Sequence, residues 1–491
     1  MITQCAPQEC FRWFAELNAI PRASGHEEKC AAFLMKFAAE RGLQAECDAA
    51  GNVIIRKNGT PGMENAPGVI VQGHQDMVCV KESGLDFDFS RDPIRAVCQG
   101  DDITAMGTTL GADDGAGLAM ILALLDSTDI PHPPLDALAT TGEEVSMTGA
   151  FALDASRLRG RYLLNLDHGE EGVFCVGCAG GRESRLRLPV ETVPFKALPG
   201  HDGFSFWSIS VSGLLGGHSG VDIILERASA HVLLLRLLDA LSQKYPLYIA
   251  SIGGGSACNV IARESRAVIA IAAPQRALED ELALWQAVFR REFEAAGDDG
   301  ITLSASAEHS AIRVFTADCT RRAIQAGLLL PHGVFHLEAG IPGRFAQASS
   351  NLAIISEQNG TLEFLNLTRS SSPSRKEEIC SRIDALAGIL GAKAEFSGDY
   401  PSWERDPKSR LEPLCASLYE EMSGTPARVE AIHAGVECGV FAGKFRTLGR
   451  KVDIVSFGPT IRGMHTVDET LSRSSMERTW HFLKELLRRL G

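Results

Sequence analysis

Gly68-Val-Ile-Val-Gln-Gly-His-Gln-Asp76 is the stretch on which the rest of the chain turns. Its small and apolar residues run into Gly73 and read as a short buried strand, with His74 and Asp76 at the carboxyl end. In an extended chain, positions i and i+2 share a face. The Asp76 carboxylate can therefore lie beside the His74 imidazole and fix its tautomer, the partner that a metal-binding histidine wants. A His-x-Asp pair is common on surfaces and at caps, so its meaning depends on what other strands bring to the same edge.

Further along, Gly107-Thr-Thr-Leu-Gly-Ala-Asp-Asp-Gly-Ala-Gly117 is a glycine-rich turn opening a buried helix that begins Leu118-Ala-Met-Ile-Leu. Leu135 to Thr141 reads as a strand ending in Gly142-Glu143-Glu144, and Tyr162 to Leu166 as another ending in Asp167. Strands alternating with helices, with polar residues gathered where strands end, predict an α/β sheet with ligands at its carboxyl edge.

Upstream, residues 8–42 read as helical, with Phe11, Phe14 and Leu17, then Ala32, Phe33 and Phe37, at helical spacing. Between them Ser24-Gly-His-Glu27 has the form of a capping box, which gives His26 a local explanation. Gly51 to Arg56 reads as a strand after a turn.

Pro194 and Pro199-Gly200 break the pattern between Val190 and Gly203. Beyond them Phe204–Val211 alternates like a half-buried strand, and helices are expected near 221–243, 276–296, 316–330 and 374–391. Strands at Ala267–Ala273, Thr302–Ala307 and Leu362–Leu367 separate them. A second break at Tyr400-Pro-Ser-Trp403 and Pro407 returns the chain to its first style, with a helix at 409–423 and a strand at Lys451–Phe457. The expected architecture is an α/β catalytic domain, a mixed sheet flanked by helices, from 1–190 and 405–491. An α+β lid and dimerisation domain, 191–404, is inserted into it, with room for two similar halves.

The chain has 491 residues, more than one hydrophobic core usually serves. With 45% hydrophobic and 22% charged residues it has an ordinary globular composition, and its net charge of −14 argues against a nucleic-acid partner. The amino terminus lacks the basic and apolar pattern of a signal peptide, and no apolar run is long enough to span a membrane. Thirteen cysteines without a framework spacing fit reduced thiols in a cytoplasm. Cys175-Val-Gly-Cys178 has no second pair to complete a zinc site.

Five positions at strand ends and turns then line up: His74, Asp113, Glu144, Asp167 and, after the last strand, His465. Two imidazoles and three carboxylates suit a pair of borderline divalent ions if one carboxylate bridges them. Two such ions can polarise a carbonyl and generate a hydroxide near neutral pH, leaving Glu143 free as general base. Each residue also has a plain explanation: Asp113 as a first-turn acid, Glu143 and Glu144 in a solvated turn, His465 in a loop. Their joint placement at one sheet edge is what favours chemistry.

Gly73-His-Gln-Asp76, Gly111-Ala-Asp-Asp-Gly115, Thr141-Gly-Glu-Glu144, Asn165-Leu-Asp167 and the late His465 resemble, in order, the motifs of the co-catalytic zinc peptidase family typified by carboxypeptidase G and aminoacylase-1. Gly216-Gly-His-Ser-Gly220, Gly253 to Asn259, His433-Ala-Gly-Val-Glu-Cys-Gly439 and Gly458-Pro-Thr resemble a dipeptidase subgroup of it. The resemblance implies one metal on His74 and Asp167, a second on Glu144 and His465, and Asp113 bridging. It implies Asp76 as the orienter of His74, Glu143 as the base, and His218 as the donor to the tetrahedral oxyanion. Asn259 would contact substrate, Arg369 would clamp its carboxylate, and Gly435 would line the pocket.

The implied activity is metal-dependent hydrolysis of short peptides, Xaa-His dipeptides and β-alanyl-histidine included, with Zn2+ the best fit and Co2+ or Mn2+ able to use the same donors. A homodimer through the lid is implied. The inserted region is about twice the size of the simplest family lids, so His218 could act in its own subunit or in a partner's. The alternatives are an N-acyl-amino-acid deacylase of the same family and a catalytically dead peptide-binding relative. A serine hydrolase is disfavoured, because Gly217-His-Ser-Gly-Val221 lacks the second glycine of Gly-x-Ser-x-Gly.

Overall fold

A computed structural model describes residues 2–308, 313–339, 341 and 344–491. The chain forms two compact units. The first comprises Met1–Cys178, Trp403–Ala431 and Val436–Gly491, and the second Ala179–Ser402 with Ile432–Gly435. The chain changes unit at Ala179, ahead of the proline-marked stretch, because the strand Gly180–Pro189 pairs with Thr361–Ser370 and Lys393–Tyr400 of the second unit. No helix among the described residues is long and apolar enough to cross a membrane.

In the first unit an eight-stranded sheet runs in the order Gln44–Cys47, Val53–Lys57, Leu135–Thr140, Val69–His74, Tyr162–Asn165, Asp453–Ser456, Val173–Cys178, Arg428–Ile432. The strands ending at Thr140, His74, Asn165 and Ser456 are mutually parallel, while Val53–Lys57 runs antiparallel to both its neighbours and Val173–Cys178 antiparallel to Asp453–Ser456. This is the expected α/β mixed sheet. The His74 strand is buried throughout, as a central parallel strand must be when both faces are covered.

The order matters for function. The chain leaves the His74 strand, returns on one side as the Thr140 strand and then on the other as the Asn165 strand. At such a reversal a crevice opens at the carboxyl ends. The helix Ala112–Asp126 packs on the His74 strand and is buried from Gly115 to Leu125, which explains its uninterrupted small and apolar sequence. A separate four-stranded sheet pairs Ile461–Arg462, Thr470–Ser472, Asp102–Ala105 and Ala96–Gln99, and its first hairpin carries His465 in the connecting loop.

The second unit has one nine-stranded sheet. Thr302–Ala307, Ser205–Ser212, Ser265–Ile271 and Leu247–Gly254 form one part; Ala346–Gln358, Thr361–Ser370, Gly180–Pro189 and Lys393–Tyr400 form the other, with Gly333–Leu337 paired to Ala346–Gln358. The two parts meet at the rung Gly254–Ile355. Helices Ala230–Lys244, Gln275–Phe293, Ala317–Leu329 and Pro373–Leu390 complete the α+β unit.

Two local expectations need correction. The helix expected at 221–243 starts only at Ala230, because a short turn at Ile223–Leu225 ends on Glu226 with φ 52°, a left-handed conformation that stops a helix. The capping box at Ser24–Glu27 does not form either: the helix begins at Glu28, and neither side chain caps it. Both are engaged by tertiary partners instead.

Candidate active site

Strand geometry delivers the first residues. His74 closes its strand, Glu143 and Glu144 open a short helix three residues after the Thr140 strand, and Asp167 lies two residues beyond Asn165. Asp113 comes from the start of the helix Ala112–Asp126, where its ψ of 111° departs from helical geometry, next to a cis Asp113–Asp114 peptide bond. His465 comes from the hairpin of the small sheet.

The structure brings all five together. His74 Nε2 lies 3.1 Å from Asp113 Oδ1 and 3.6 Å from Asp167 Oδ1. His465 Nε2 lies 3.2 Å from Asp113 Oδ2 and 3.0 Å from Glu144 Oε2. One carboxylate thus faces two imidazoles, one through each oxygen.

Asp76 performs more than the expected task. The closest partner of His74 Nδ1 is the Asp76 backbone carbonyl at 3.1 Å, with the carboxylate at 3.4 Å. That carboxylate accepts the backbone N–H groups of Glu143 (3.1 Å) and Glu144 (3.2 Å) and the Ser24 hydroxyl (2.8 Å). Burial alone would raise the Asp76 pKa, but these bonds and the His74 imidazole hold it at about 2.

The electrostatics of the cluster call for positive charge. Burial opposes the His74 cation, yet Asp167, Asp113 and Asp76 raise its pKa well above the ordinary value. Bonds to Asp113 and Glu144 push His465 up to about 10. Burial, together with the repulsion of Glu144 and Asp113, raises Glu143 to about 7.

Donor atoms of His74, Asp113 and Glu144 lie within 4.8 Å of one another, close enough to hold one metal ion. Glu144 Oε1 is buried and has no hydrogen-bond partner among the described residues, which leaves an acceptor open beside His465. Nitrogen and oxygen donors without thiolate, an orphaned buried oxygen and surplus negative charge fit divalent cations. The Glu143 side chain makes no hydrogen bond among the described residues.

Several contributors were not legible. Arg22, only 1% exposed, donates to the backbone carbonyls of Gln75, Asp76 and Gly111, joining the His74 strand end to the Asp113 turn. Glu469, 2% exposed, accepts the backbone N–H groups of Leu110, Gly111, Ala112 and Asp113. Glu27 accepts from the N–H groups of Gly25 and Gly142. Beneath the cluster, Glu437 accepts from Gln72 Nε2 (2.6 Å) and Thr140 Oγ1 (2.7 Å), and Asn165 donates to Gln72 Oε1 (2.6 Å). The signal for Glu437 was its place in the His433–Gly439 motif; for Arg22 and Glu469 there was none.

The remaining candidates lie in the second unit. His218 pairs with Val260 in a two-residue ladder, and the Ser219 N–H donates to the Asn259 carbonyl. His218 Nδ1 accepts the N–H groups of Gly220 and Val221, both at 3.2 Å, so its proton sits on Nε2. Burial and the nearby Arg369 lower its pKa, which keeps it neutral. Asn259 is exposed, Arg369 is buried and donates to Tyr400 Oη, and Gly435 closes the Ile432–Gly435 segment.

Two imidazoles and three carboxylates gathered where parallel strands end, His465 from the small sheet's hairpin among them, are the donor set of a metal-dependent hydrolase. The peptidase dimerisation domain family matches residues 209–296. The cytosol non-specific dipeptidase of Escherichia coli (strain K12) is 34% identical over 503 aligned positions, covering 100% of this chain and 99% of that one. The crystal structure of aminoacylhistidine dipeptidase from Vibrio alginolyticus superposes with a TM-score of 0.93 at 35% identity, covering 100% and 98% of the two chains. The aminopeptidase PepT of Bacillus cereus shares the fold at a TM-score of 0.56 and 15% identity, covering 99% of both. The chain belongs to the M20 peptidase family, in the branch of the cytosol non-specific dipeptidases.

Proposed function

We propose that the chain is a cytoplasmic dimetal dipeptidase that hydrolyses short peptides with a free carboxyl terminus, Xaa-His dipeptides and β-alanyl-histidine among them. The observation that carries this reading is Asp113, whose two oxygens face His74 and His465. On this reading His74 and Asp167 would hold one ion and Glu144 and His465 the other, with Asp113 serving both. Zn2+ suits the donors best, and Co2+ or Mn2+ can use them. Such a pair, when bound, polarises a carbonyl and makes water acidic near neutral pH.

The chain's own groups do the rest. Asp76 fixes the ring of His74 and, through two backbone N–H bonds, the start of the Glu143–Ser146 helix. Glu143, whose side chain makes no hydrogen bond among the described residues, takes the proton of the attacking water and passes it to the leaving amine. His218 donates from Nε2 to the developing oxyanion, a contribution of about 3–4 kcal/mol in comparable sites. Asn259 contacts the substrate, Arg369 binds its carboxylate bidentately, and Gly435 lines the pocket. The first unit is then the catalytic domain; the second is the lid, and the match at 209–296 supports a homodimer through it.

Glu143→Gln tests the assignment. It should keep both metals by elemental analysis and lose most turnover, and near-normal turnover with both metals bound refutes it. Comparing a dipeptide with its N-acetyl counterpart separates dipeptidase from deacylase.

A further inference from the structure

Four adjacent strands of the second unit's sheet place Ser349, Arg369, Gly181 and Tyr400 on a single rung: Ser349 pairs with Arg369, Arg369 with Gly181, and Gly181 with Tyr400. Directly opposed residues project from the same face of a sheet. Between Arg369 and Tyr400 the rung is empty, because Gly181 has no side chain. Tyr400 uses that gap: its ring lies over Gly181, and its Oη accepts from Arg369 Nη1 at 2.6 Å. A Cβ on Gly181 would sit 2.4 Å from the Tyr400 Cζ and Oη atoms, far inside contact distance. On the other flank, Ser349 Oγ bonds His433 Nε2 at 2.7 Å. Burial and the Arg369 charge hold His433 down to about 3, so it stays neutral beside the guanidinium.

Arg369 is 6% exposed, and no carboxylate of the described residues forms an ion pair with it. Its Nε is buried without a hydrogen-bond partner among the described residues. A buried guanidinium held through one nitrogen, with another donor unmet, is set to receive an anionic group from outside the chain.

We propose that Tyr400, reaching through the Gly181 gap, is the positioning residue that aims Arg369 at the carboxylate of the peptide substrate. The inference rests on the reading of Arg369 as the carboxylate clamp. Gly181 is its enabling vacancy, since any larger residue there displaces the phenol. Free-carboxylate peptides are accordingly favoured over the same peptides with an amidated terminus, in proportion to how well Arg369 is held.

The test compares Tyr400→Phe, Gly181→Ala and Arg369→Ala in the metal-loaded enzyme, each with a dipeptide and its carboxyl-terminal amide. Loss of a hydrogen bond to a charged group predicts that Tyr400→Phe raises KM for the dipeptide about 10- to 100-fold. kcat should stay near the wild-type value, and the constants for the amide should not move. Gly181→Ala should shift KM in the same sense. If Arg369→Ala abolishes the preference for the free carboxylate while Tyr400→Phe preserves it, the positioning role falls and the clamp stands. If Arg369→Ala leaves the preference intact, the clamp itself falls and the inference with it. Tyr400→Phe removes a single hydroxyl, so failure of the bulkier Gly181→Ala to fold leaves the decision with Tyr400→Phe.

Discussion

Replacing Glu469 by glutamine perturbs the metal cluster while leaving every proposed ligand in place. The Glu469 carboxylate receives four backbone N–H groups, Leu110 and Gly111 on one oxygen at 2.8 and 3.0 Å and Ala112 and Asp113 on the other at 2.7 and 3.3 Å. An amide has one oxygen to accept with, and its NH2 group would confront the other two N–H donors. Two buried donors without partners cost about 1–3 kcal/mol each, or roughly 2–6 kcal/mol together. The turn relieves that cost by opening, and the segment that moves carries Asp113, whose two oxygens serve both imidazoles. Groups that orient metal ligands typically change affinity about 10- to 100-fold when lost, and that is the expected weakening in competition with a chromophoric chelator. Asp453→Ala is the control. Asp453 accepts the N–H groups of Arg410 and Leu411 on one oxygen at 2.7 and 3.1 Å and the Ser409 hydroxyl on the other at 2.7 Å, in the same unit and away from the ligands. It should lower the unfolding temperature without changing metal affinity. If Glu469→Gln binds metal within about twofold of wild type, as a purely structural loss would allow, the reasoning is refuted.

Asp76→Asn should weaken metal binding by about 10- to 100-fold in the same assay, because an amide cannot accept the N–H groups of both Glu143 and Glu144. Gly73→Ala should destabilise the first unit by about 1–3 kcal/mol in urea unfolding, since its Cβ would meet Asp114 Oδ2 at 2.2 Å. Burial lowers His231 from 6.5 to about 4. The unfolded chain therefore takes up a proton before the folded one does, and stability is lost as pH falls from 6.5 towards 4. The loss at about pH 5 is roughly 2 kcal/mol, and His231→Gln should remove that part of the pH dependence of unfolding.

How much of this was legible follows from how far each residue reaches along the chain. His74, Glu144 and Asp167 could be read because each follows a strand whose apolar run announces it. Asp113 could be read because glycines and a buried helix frame it. Arg22 and Glu469 act on backbone atoms tens to hundreds of residues away, Arg22 on Gly111 and Glu469 on Asp113. No periodicity encodes such a bond. Ser24 and Glu27 show the opposite failure: a local pattern fits, but Asp76 and Gly142 offer better partners than the helix end does. The adjacent glycines Gly180 and Gly181 were visible in the sequence, but their purpose depends on a rung assembled from strands far apart in it.

The buried network beneath the cluster explains why so many polar groups are kept out of water there. Gln72 precedes His74 by two residues and Asn165 precedes Asp167 by two, so each pair projects from the same face of its strand. Asn165 binds Gln72, Gln72 and Thr140 both bind Glu437, and these bonds tie together the three parallel strands that carry or lead to His74, Asp167 and the Glu143–Glu144 pair. Burial holds Glu437 up at about 8, a carboxyl kept neutral where an apolar residue would avoid the desolvation cost. The backbone ladder already fixes the register of these strands, and apolar side chains could fill the layer without disturbing it, but they are non-directional. Hydrogen bonds between named atoms add a directional hold on the strand ends, which sets the separation of ligands that must meet within a few tenths of an ångström. On this argument, the stability surrendered in the layer below is returned as geometry in the layer above.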